Sequence, residues 1–329
     1  MKSTIRKKAL ILILIPSLLC SACTGRNLEM AYQTDTEQVP FRMFDITAEI
    51  PTVRPFAASL AVVADDISGE VDETRIAAAA AGLFCVDDRE PLYAKNVYER
   101  LHPASLTKVM TALVALKYGT IDTYITASAN VNIVESGAQV VGLRQGDQMT
   151  LAQALHLALI NSANDAAIMV AEGVAGSVEE FCHLMNNEAK AIGATNTNFI
   201  NPHGLTDDEQ YTTVYDMYLI FNAAIKYDIF NQIVQMSSYS TTYLHSDGSS
   251  RELSVNSTNW YLQGTAATPE NVIVVGGKTG TTSAARHCLA IVSKDNNEKT
   301  YISVVMRAES REEVYGEMTE LLRQVGRRG

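Results

Sequence analysis

Residues 103–119 read Pro-Ala-Ser-Leu-Thr-Lys-Val-Met-Thr-Ala-Leu-Val-Ala-Leu-Lys-Tyr-Gly, and this stretch does most to determine the expected fold. Its apolar residues recur at helical spacing until Gly119, which predicts a helix that begins near the serine. Residues three apart share a helix face, so Lys108 can reach Ser105. A serine hydroxyl becomes a good nucleophile when a nearby base, such as a lysine with a lowered pKa, takes its proton. Alone, the pattern also fits a helix cap followed by a surface lysine.

Two other short segments have the same ambiguity. Residues 162–164 (Ser-Ala-Asn) lie between two predicted helices, where a hydroxyl can relay a proton and an amide can bind a carbonyl group. Residues 278–280 (Lys-Thr-Gly) lie in a predicted strand, where an extended peptide can lie along the edge while Lys278 and Thr279 hold its carboxylate. Lys278 would also be a second cation that keeps Lys108 neutral. Taken singly, the segments are explained as well by a helix end and by a glycine-rich turn.

The surrounding sequence predicts a mixed architecture. We expect a hairpin over residues 77–94, helices over 151–160 and 165–172, strands over 272–275, 287–293 and 301–306, and a last helix over 311–325. Strands near both ends with helices between them indicate an α+β domain. In it, both chain ends contribute to one antiparallel sheet, flanked by helices and joined by a helical subdomain. The short apolar run 58–64 is compatible with one more strand.

The three motifs, in this order, resemble the signature of serine β-lactamases and penicillin-binding proteins. The likeness extends to 110–113 (Met-Thr-Ala-Leu), 164–166 (Asn-Asp-Ala) and 201–205 (Asn-Pro-His-Gly-Leu). Over about residues 77–308 the chain is similar to the low-molecular-weight D-Ala-D-Ala carboxypeptidases. The resemblance implies the β-lactamase/transpeptidase-like fold and no cofactor or metal. It also implies a serine peptidase that removes the terminal D-Ala from peptidoglycan stem peptides and is covalently inhibited by β-lactams.

The same resemblance assigns roles to individual residues. It implies that Ser105 forms the acyl-enzyme, that Lys108 takes its proton, and that Ser162 passes a proton to the leaving group. The backbone N–H groups of Ser105 and Thr281 would form an oxyanion hole. Substrate binding would involve Asn164, Lys278, Thr279, Gly280 and Thr281. His203 is interpreted as part of a tight turn rather than as a base, and Arg286 as a carboxylate ligand or a partner in a surface ion pair.

Three other functions stay open at this point. A class A β-lactamase needs a Glu-x-x-x-Asn element, and the only match after Ser162 runs from Glu252 to Asn256, closer to Lys278 than that element should lie. A non-catalytic sensor of cell-wall fragments or β-lactams usually lacks a motif residue, and here none is lacking. A DD-endopeptidase cannot be separated from a carboxypeptidase, because both cleave after a D-Ala carbonyl group.

The N-terminus predicts export. Four basic residues precede an apolar run over 9–19, followed by small residues and Cys23. We expect a signal peptide of the lipoprotein type (1–22) with Cys23 as the lipid acceptor, although an ordinary signal peptide or an uncleaved anchor also fits. A tether (23–58) and a catalytic domain (59–329) follow, with no second C-terminal domain. The protein would then be anchored in the membrane by its N-terminus, at the outer face of the cytoplasmic membrane or in the cell wall.

Charge and cysteine content narrow the possible partners. The formal net charge is -11, which disfavours nucleic acid as a partner. Cys85, Cys182 and Cys288 are far apart and odd in number, so we expect buried, unpaired side chains rather than a disulfide framework or a metal site.

Overall fold

The computed structural model describes residues 56–328. The predicted signal peptide (1–22), Cys23 and all but the last residues of the predicted tether (23–58) lie outside the described residues. Within the described part, no helix combines the length and the apolar character needed to cross a bilayer.

The larger sheet is built from both ends of the described chain, as the sequence predicts. β1 (Ala80–Cys85) and β2 (Glu90–Lys95) form the expected hairpin, and β1 also pairs with β9 (Thr300–Ala308). β8 (Arg286–Asp295) and β7 (Val272–Thr282) complete an antiparallel sheet with the order β2-β1-β9-β8-β7. β7 is therefore an edge strand, so an extended peptide can pair with its outer edge.

Helices cover both faces of this sheet. The helical subdomain on one face contains α1 (Thr107–Tyr118), α2 (Leu151–Ile160), α3 (Asn164–Ala175), α4 (Val178–Ala191), α5 (Val214–Ala224) and α6 (Asp228–Val234). After α7 (Trp260–Gln263), the last helix, α8 (Arg311–Gly326), packs on the opposite face. Side chains alternate between the two cores along each strand: Ala290 and Val292 face the helical subdomain, whereas Leu289 and Ile291 face α8. The expected α+β architecture, with one antiparallel sheet from both chain ends and a helical subdomain, is confirmed.

A second, smaller sheet was not predicted. Its strands are β3 (Tyr124–Thr126), β4 (Gln148–Thr150), β5 (Ser238–Leu244) and β6 (Ser250–Asn256). β5 and β6 do alternate, with Tyr239 and Tyr243 on β5 and Leu253 and Val255 on β6 facing the core. β3 and β4 are only three residues long, too short for a periodic pattern.

The suggested strand over residues 58–64 is wrong. The chain forms a short 3-10 helix (Phe56–Ser59) and then runs without regular structure to residue 64. Two tyrosines of α5 satisfy the backbone of Ala61 in place of a neighbouring strand. The Tyr218 hydroxyl accepts from the N–H of Ala61 at 2.9 Å, and the Tyr215 hydroxyl donates to the carbonyl oxygen of Ala61 at 2.9 Å. A buried backbone needs partners, but side chains can supply them.

The expectation for the three cysteines is confirmed. Cys85, Cys182 and Cys288 are all buried and free.

Candidate active site

Ser105 lies on a strained turn at the start of α1. It belongs to a one-turn 3-10 helix (Ala104–Leu106) that leads directly into α1, so the predicted helix begins with a tighter turn. Ala104 has a φ of +46°, a left-handed conformation that is uncommon for a residue with a side chain. Gly204 approaches so closely that a Cβ there would lie 1.9 Å from the carbonyl oxygen of Ala104. Glycine is therefore required in the 201–205 loop, which supports the turn.

The amine of Lys108 makes three contacts that define its chemistry. Its Nζ lies 2.9 Å from Ser105 Oγ, 2.6 Å from Asn164 Oδ1 and 2.6 Å from the carbonyl oxygen of His203. The last two atoms can only accept hydrogen bonds, so they take both N–H groups of a neutral amine. The lone pair of that amine then points to the Ser105 hydroxyl. This is the geometry of a base ready to receive the serine proton.

Burial and a second cation favour this neutral form. The side chain of Lys108 is fully buried, and desolvation holds its pKa well below 10.5, with a further lowering from the charge of Lys278. The carboxylate of Asp165 acts in the opposite direction but is the smallest of the three effects. The influence of the second lysine, expected from the sequence, is therefore present in the structure.

Lys278 joins β7 to the loop between α2 and α3. Its Nζ donates to Ser162 Oγ at 2.9 Å and to the carbonyl oxygen of Thr279 at 2.9 Å. Burial lowers the pKa of Lys278 to about 7, so near neutral pH its amine can both hold and release a proton. Ser162 has a φ of +66°, a second strained residue in the same cleft.

The backbone of β7 at Gly280 lies close to the backbone of the turn that carries Ser105. A Cβ on Gly280 would lie 3.0 Å from the carbonyl oxygen of Pro103, so a larger residue would push the strand away. Beside it, the hydroxyls of Thr279 and Thr258 are 2.6 Å apart, and the N–H of Thr258 donates to the carbonyl oxygen of Ile160 at the end of α2. Thr258 thus links the Lys-Thr-Gly motif to the end of α2, two residues before Ser162. Sequence reasoning missed it, because no local pattern marks a residue whose role depends on distant neighbours.

Asp165 anchors a loop over the site. Its carboxylate accepts from the backbone N–H groups of residues 141–143 at 2.9 to 3.2 Å. In the same region, the N–H of Asn164 donates to the carbonyl oxygen of Gln139 at 2.8 Å. The loop and the start of α3 therefore hold each other, and with them the amide that contacts Lys108.

The remaining sequence candidates lie at the margin. Thr281 is exposed, with its hydroxyl 3.3 Å from His287 Nδ1. Arg286 forms an ion pair with Glu309, one of the two roles considered for it. Burial and the nearby Lys108 lower the pKa of His203 to about 3, so its ring is a very weak base, in line with its interpretation as a turn residue. Within residues 56–328, no group of three or more His, Cys, Asp or Glu side chains is placed to hold a metal ion.

Comparison with known sequences identifies the family. Residues 68–310 match the family described as D-alanyl-D-alanine carboxypeptidase. This match covers well over half of the chain. The protein belongs to the D-alanyl-D-alanine carboxypeptidase family.

Individual relatives agree with this membership. D-alanyl-D-alanine carboxypeptidase DacF of Bacillus subtilis is 34% identical over 248 residues, which cover 74% of this chain and 61% of the relative. DacC of Escherichia coli, another D-alanyl-D-alanine carboxypeptidase, is 35% identical over 236 residues, or 69% and 56% of the two chains. The chain therefore spans about three fifths of the length of these curated family members.

Solved structures support the same fold. A Streptomyces DD-transpeptidase has 27% sequence identity and a TM-score of 0.69, with 75% of this chain and 96% of that chain covered. The fold in which the family places its motifs is thus present over most of the described residues.

Replacing Lys278 by methionine should flatten the pH dependence of stability. The folded pKa of about 7 is below the ordinary value of 10.5, so between these values the unfolded chain binds more protons than the folded one. The free energy of unfolding of the wild type should therefore rise with pH, by up to about 1.4 kcal/mol per pH unit for one lysine. Urea unfolding at pH 7, 8 and 9 measures this slope. Lys278→Met should have the smaller slope, exposed Lys226→Met should keep the wild-type slope, and equal slopes in all three proteins would contradict the depressed pKa.

Replacing Asp165 by asparagine should release the loop at 141–143. Asparagine offers one acceptor oxygen and turns an NH₂ group towards backbone donors, which leaves at least one N–H unsatisfied at about 1 to 3 kcal/mol. Amide exchange at 141–143, measured by mass spectrometry, should accelerate by about 5- to 150-fold, whereas exchange in β8 should not change. Asp122→Asn, at an exposed aspartate, is the matched control. Unaltered exchange at 141–143 would show that the carboxylate does not anchor this loop.

Proposed function

We propose that this protein is a serine-type DD-carboxypeptidase that removes the terminal D-Ala from peptidoglycan stem peptides through an acyl-enzyme on Ser105. The observation that carries the proposal is the 2.9 Å contact between Lys108 Nζ and Ser105 Oγ, in a site where two obligate acceptors take both N–H groups of a neutral amine and leave its lone pair for the Ser105 proton. Family membership supports the substrate class.

The first step is acylation. Lys108 removes the proton of Ser105, and Oγ attacks the carbonyl carbon of the penultimate D-Ala to form a tetrahedral oxyanion. Backbone N–H groups of Ser105 and Thr281 stabilise that charge, an effect worth on the order of 100-fold or more per donor. Lys278 and Thr279 hold the terminal carboxylate, and Asn164 holds the peptide.

The second step expels D-Ala and restores the enzyme. Ser162, hydrogen-bonded to Lys278 at 2.9 Å, gives a proton to the departing amine as the C–N bond breaks. The proton that Lys108 took from Ser105 then passes to Ser162, so that Lys108 is neutral and Ser162 is a hydroxyl again before water enters. Water then attacks the ester carbonyl group, one of its protons returns through Lys108, and Ser105 leaves with its proton restored. A β-lactam acylates the same oxygen, and the opened ring stays attached, so penicillins act as covalent inhibitors.

Rapid β-lactam hydrolysis is not favoured by the position of the only Glu-x-x-x-Asn element after Ser162. Glu252 and Asn256 both lie on β6, where the extended backbone separates them by about 13 Å. Glu252 is exposed. A carboxylate so far from its asparagine does not form a compact site for activating water. A non-catalytic sensor is also disfavoured, because Lys108 and Lys278 each contact a serine hydroxyl to which a proton can be transferred.

The decisive experiment compares wild type with Ser105→Ala. Wild type should release D-Ala from a stem pentapeptide and gain the mass of one benzylpenicillin, because Ser105 is the group acylated in both reactions. Ser105→Ala should lose D-Ala release by on the order of 10⁴-fold or more and should form no adduct. Ser240→Ala, on an exposed face of β5, is the matched control and should resemble wild type.

Failure of wild type in both assays would defeat the proposal. Fast turnover of penicillin without a stable adduct would favour a β-lactamase, and release only from cross-linked dimers would favour an endopeptidase.

We also propose that the protein is exported and lipid-anchored through Cys23 at the outer face of the cytoplasmic membrane or in the cell wall. The support comes from residues 1–23 of the sequence alone: a basic start, a short apolar run, and small residues before a cysteine.

Replacing Cys23 by serine should release the protein from membranes, since the thiol that carries the lipid is lost. Cell fractionation followed by immunoblotting measures the membrane-bound share. Cys20→Ser, three residues earlier, is the matched control and should stay bound. Unchanged membrane retention of Cys23→Ser would count against lipidation at this residue.

A further inference from the structure

A basic pocket lies beside the active site, and none of the roles described above uses it. Its volume is about 430 Å³, and Arg100, His102 and Arg307 line it together with a single acidic side chain, Asp208. Ala284 contributes only a methyl group to the wall. In a chain with a formal net charge of -11, a cluster of two arginines and a histidine is a local exception that favours an anion.

The pocket begins where the nucleophile turn and β7 separate. Leu101 and His102 form one wall, directly before Pro103, and Ala284 and Ala285 form the other, directly beyond the end of β7. Pro103 is in close contact with Gly280, as the 3.0 Å spacing of its carbonyl oxygen from a Cβ built there shows. The two walls therefore diverge from a point next to Ser105.

The direction of a bound peptide leads into this pocket. In the proposed reaction, the terminal carboxylate lies at Lys278 and Thr279 and the attacked carbonyl group lies at Thr281. The acyl part must then continue past Thr282 towards the turn before β8. At about 3.3 to 3.6 Å per extended residue, the two or three residues before the scissile bond reach Ala284.

The side chain of Arg100 is held in position, and Arg307 lies on a strained stretch of backbone. The guanidinium of Arg100 lies 4.6 Å from the ring centroid of Tyr211 and donates to Asn196 Oδ1 at 3.1 Å, which leaves other N–H groups for a ligand. Arg307 occupies a bulge, where two residues of β9 lie opposite one of β8, and it has a φ of +63°. Bulges reorient side chains and are frequent beside active sites, and such strained backbone is typical of functional positions.

We propose that this pocket is a subsite for a carboxylate that the stem peptide carries two to three residues before the scissile bond, bound by Arg307 and Arg100. This inference rests on the proposed DD-carboxypeptidase function and names a feature of its substrate. Two side carboxylates of a stem peptide have the required chemistry, one on the γ-linked D-Glu and one on a meso-diaminopimelate residue. Two guanidinium groups that line one pocket suit either of them.

The test uses a set of otherwise identical pentapeptides with D-Glu at position two and meso-diaminopimelate at position three. One peptide keeps both side carboxylates, one has both as carboxamides, and two have a single carboxamide each. Wild type should release D-Ala from the dicarboxylate with a kcat/KM about 5- to 10-fold above that for the dicarboxamide. The single carboxamides show which carboxylate is bound.

Variants of the pocket complete the test. Arg307→Gln should have a lower kcat/KM for the dicarboxylate, so that the ratio of kcat/KM between dicarboxylate and dicarboxamide falls close to one. Arg100→Gln should lower the same ratio. Arg251→Gln, an exposed arginine on β6, is the matched control and should keep the wild-type ratio.

The outcomes separate the subsite from the proposed function. If wild type releases D-Ala from both peptides at the same kcat/KM, or if Arg307→Gln keeps the preference, the subsite is wrong while the carboxypeptidase stands. If wild type releases D-Ala from none of the peptides and forms no penicillin adduct, the proposed function itself fails.

Discussion

Two lysine amines share one buried cleft, and the cost of burying their charges determines its chemistry. Removing an ammonium group from water costs free energy, and a second positive charge nearby increases that cost. Lys108 therefore has a pKa far below that of a lysine in water, and the pKa of Lys278 falls to about 7. Each amine becomes a proton carrier because burial disfavours its charge. The hydroxyls of Ser105 and Ser162, one beside each amine, are the groups with which these protons can be exchanged.

The fold keeps this arrangement by holding backbone segments unusually close together. Gly204 and Gly280 both lie against the nucleophile turn: a Cβ on Gly204 would overlap the carbonyl oxygen of Ala104, and a Cβ on Gly280 would force its neighbours to shift by a few tenths of an ångström. Ala104 and Ser162 remain in left-handed conformations, at a cost of order 1 to 3 kcal/mol each. Such strain persists only where the surrounding packing overdetermines it, and here the large sheet and the helical subdomain supply that packing. Both strained residues are buried, Ala104 in the core and Ser162 in the loop between α2 and α3, so the surrounding packing holds their conformations.

The motifs of the site could be predicted from the sequence, because each is a local pattern with a local consequence. The spacing of Ser105 and Lys108 on a helix start follows from helical periodicity, whereas the roles of these two residues and of Lys278 and Thr279 were implied by the resemblance of the three motifs to a known family. Thr258 and Asp165 could not be assigned in this way. One links a loop to β7, and the other accepts backbone N–H groups from a segment more than 20 residues away. The second sheet was missed as well, although Tyr239 and Tyr243 on β5 and Leu253 and Val255 on β6 alternate with exposed polar residues, because its other two strands are only three residues long.

By itself, the sequence determined the order of the motifs, the family they indicate, the hairpin and three further strands of the main sheet, and four helices: α1, α2, α3 and α8. These depend on side-chain periodicity and on residues a few positions apart. Only the tertiary structure decided which groups touch Lys108, that its two acceptors are an amide and a backbone carbonyl, and that Arg307 and Arg100 line one pocket. Those contacts join residues about 50 to 200 positions apart, and their energies depend on burial. Burial is a property of the folded chain, and no short stretch of sequence specifies it.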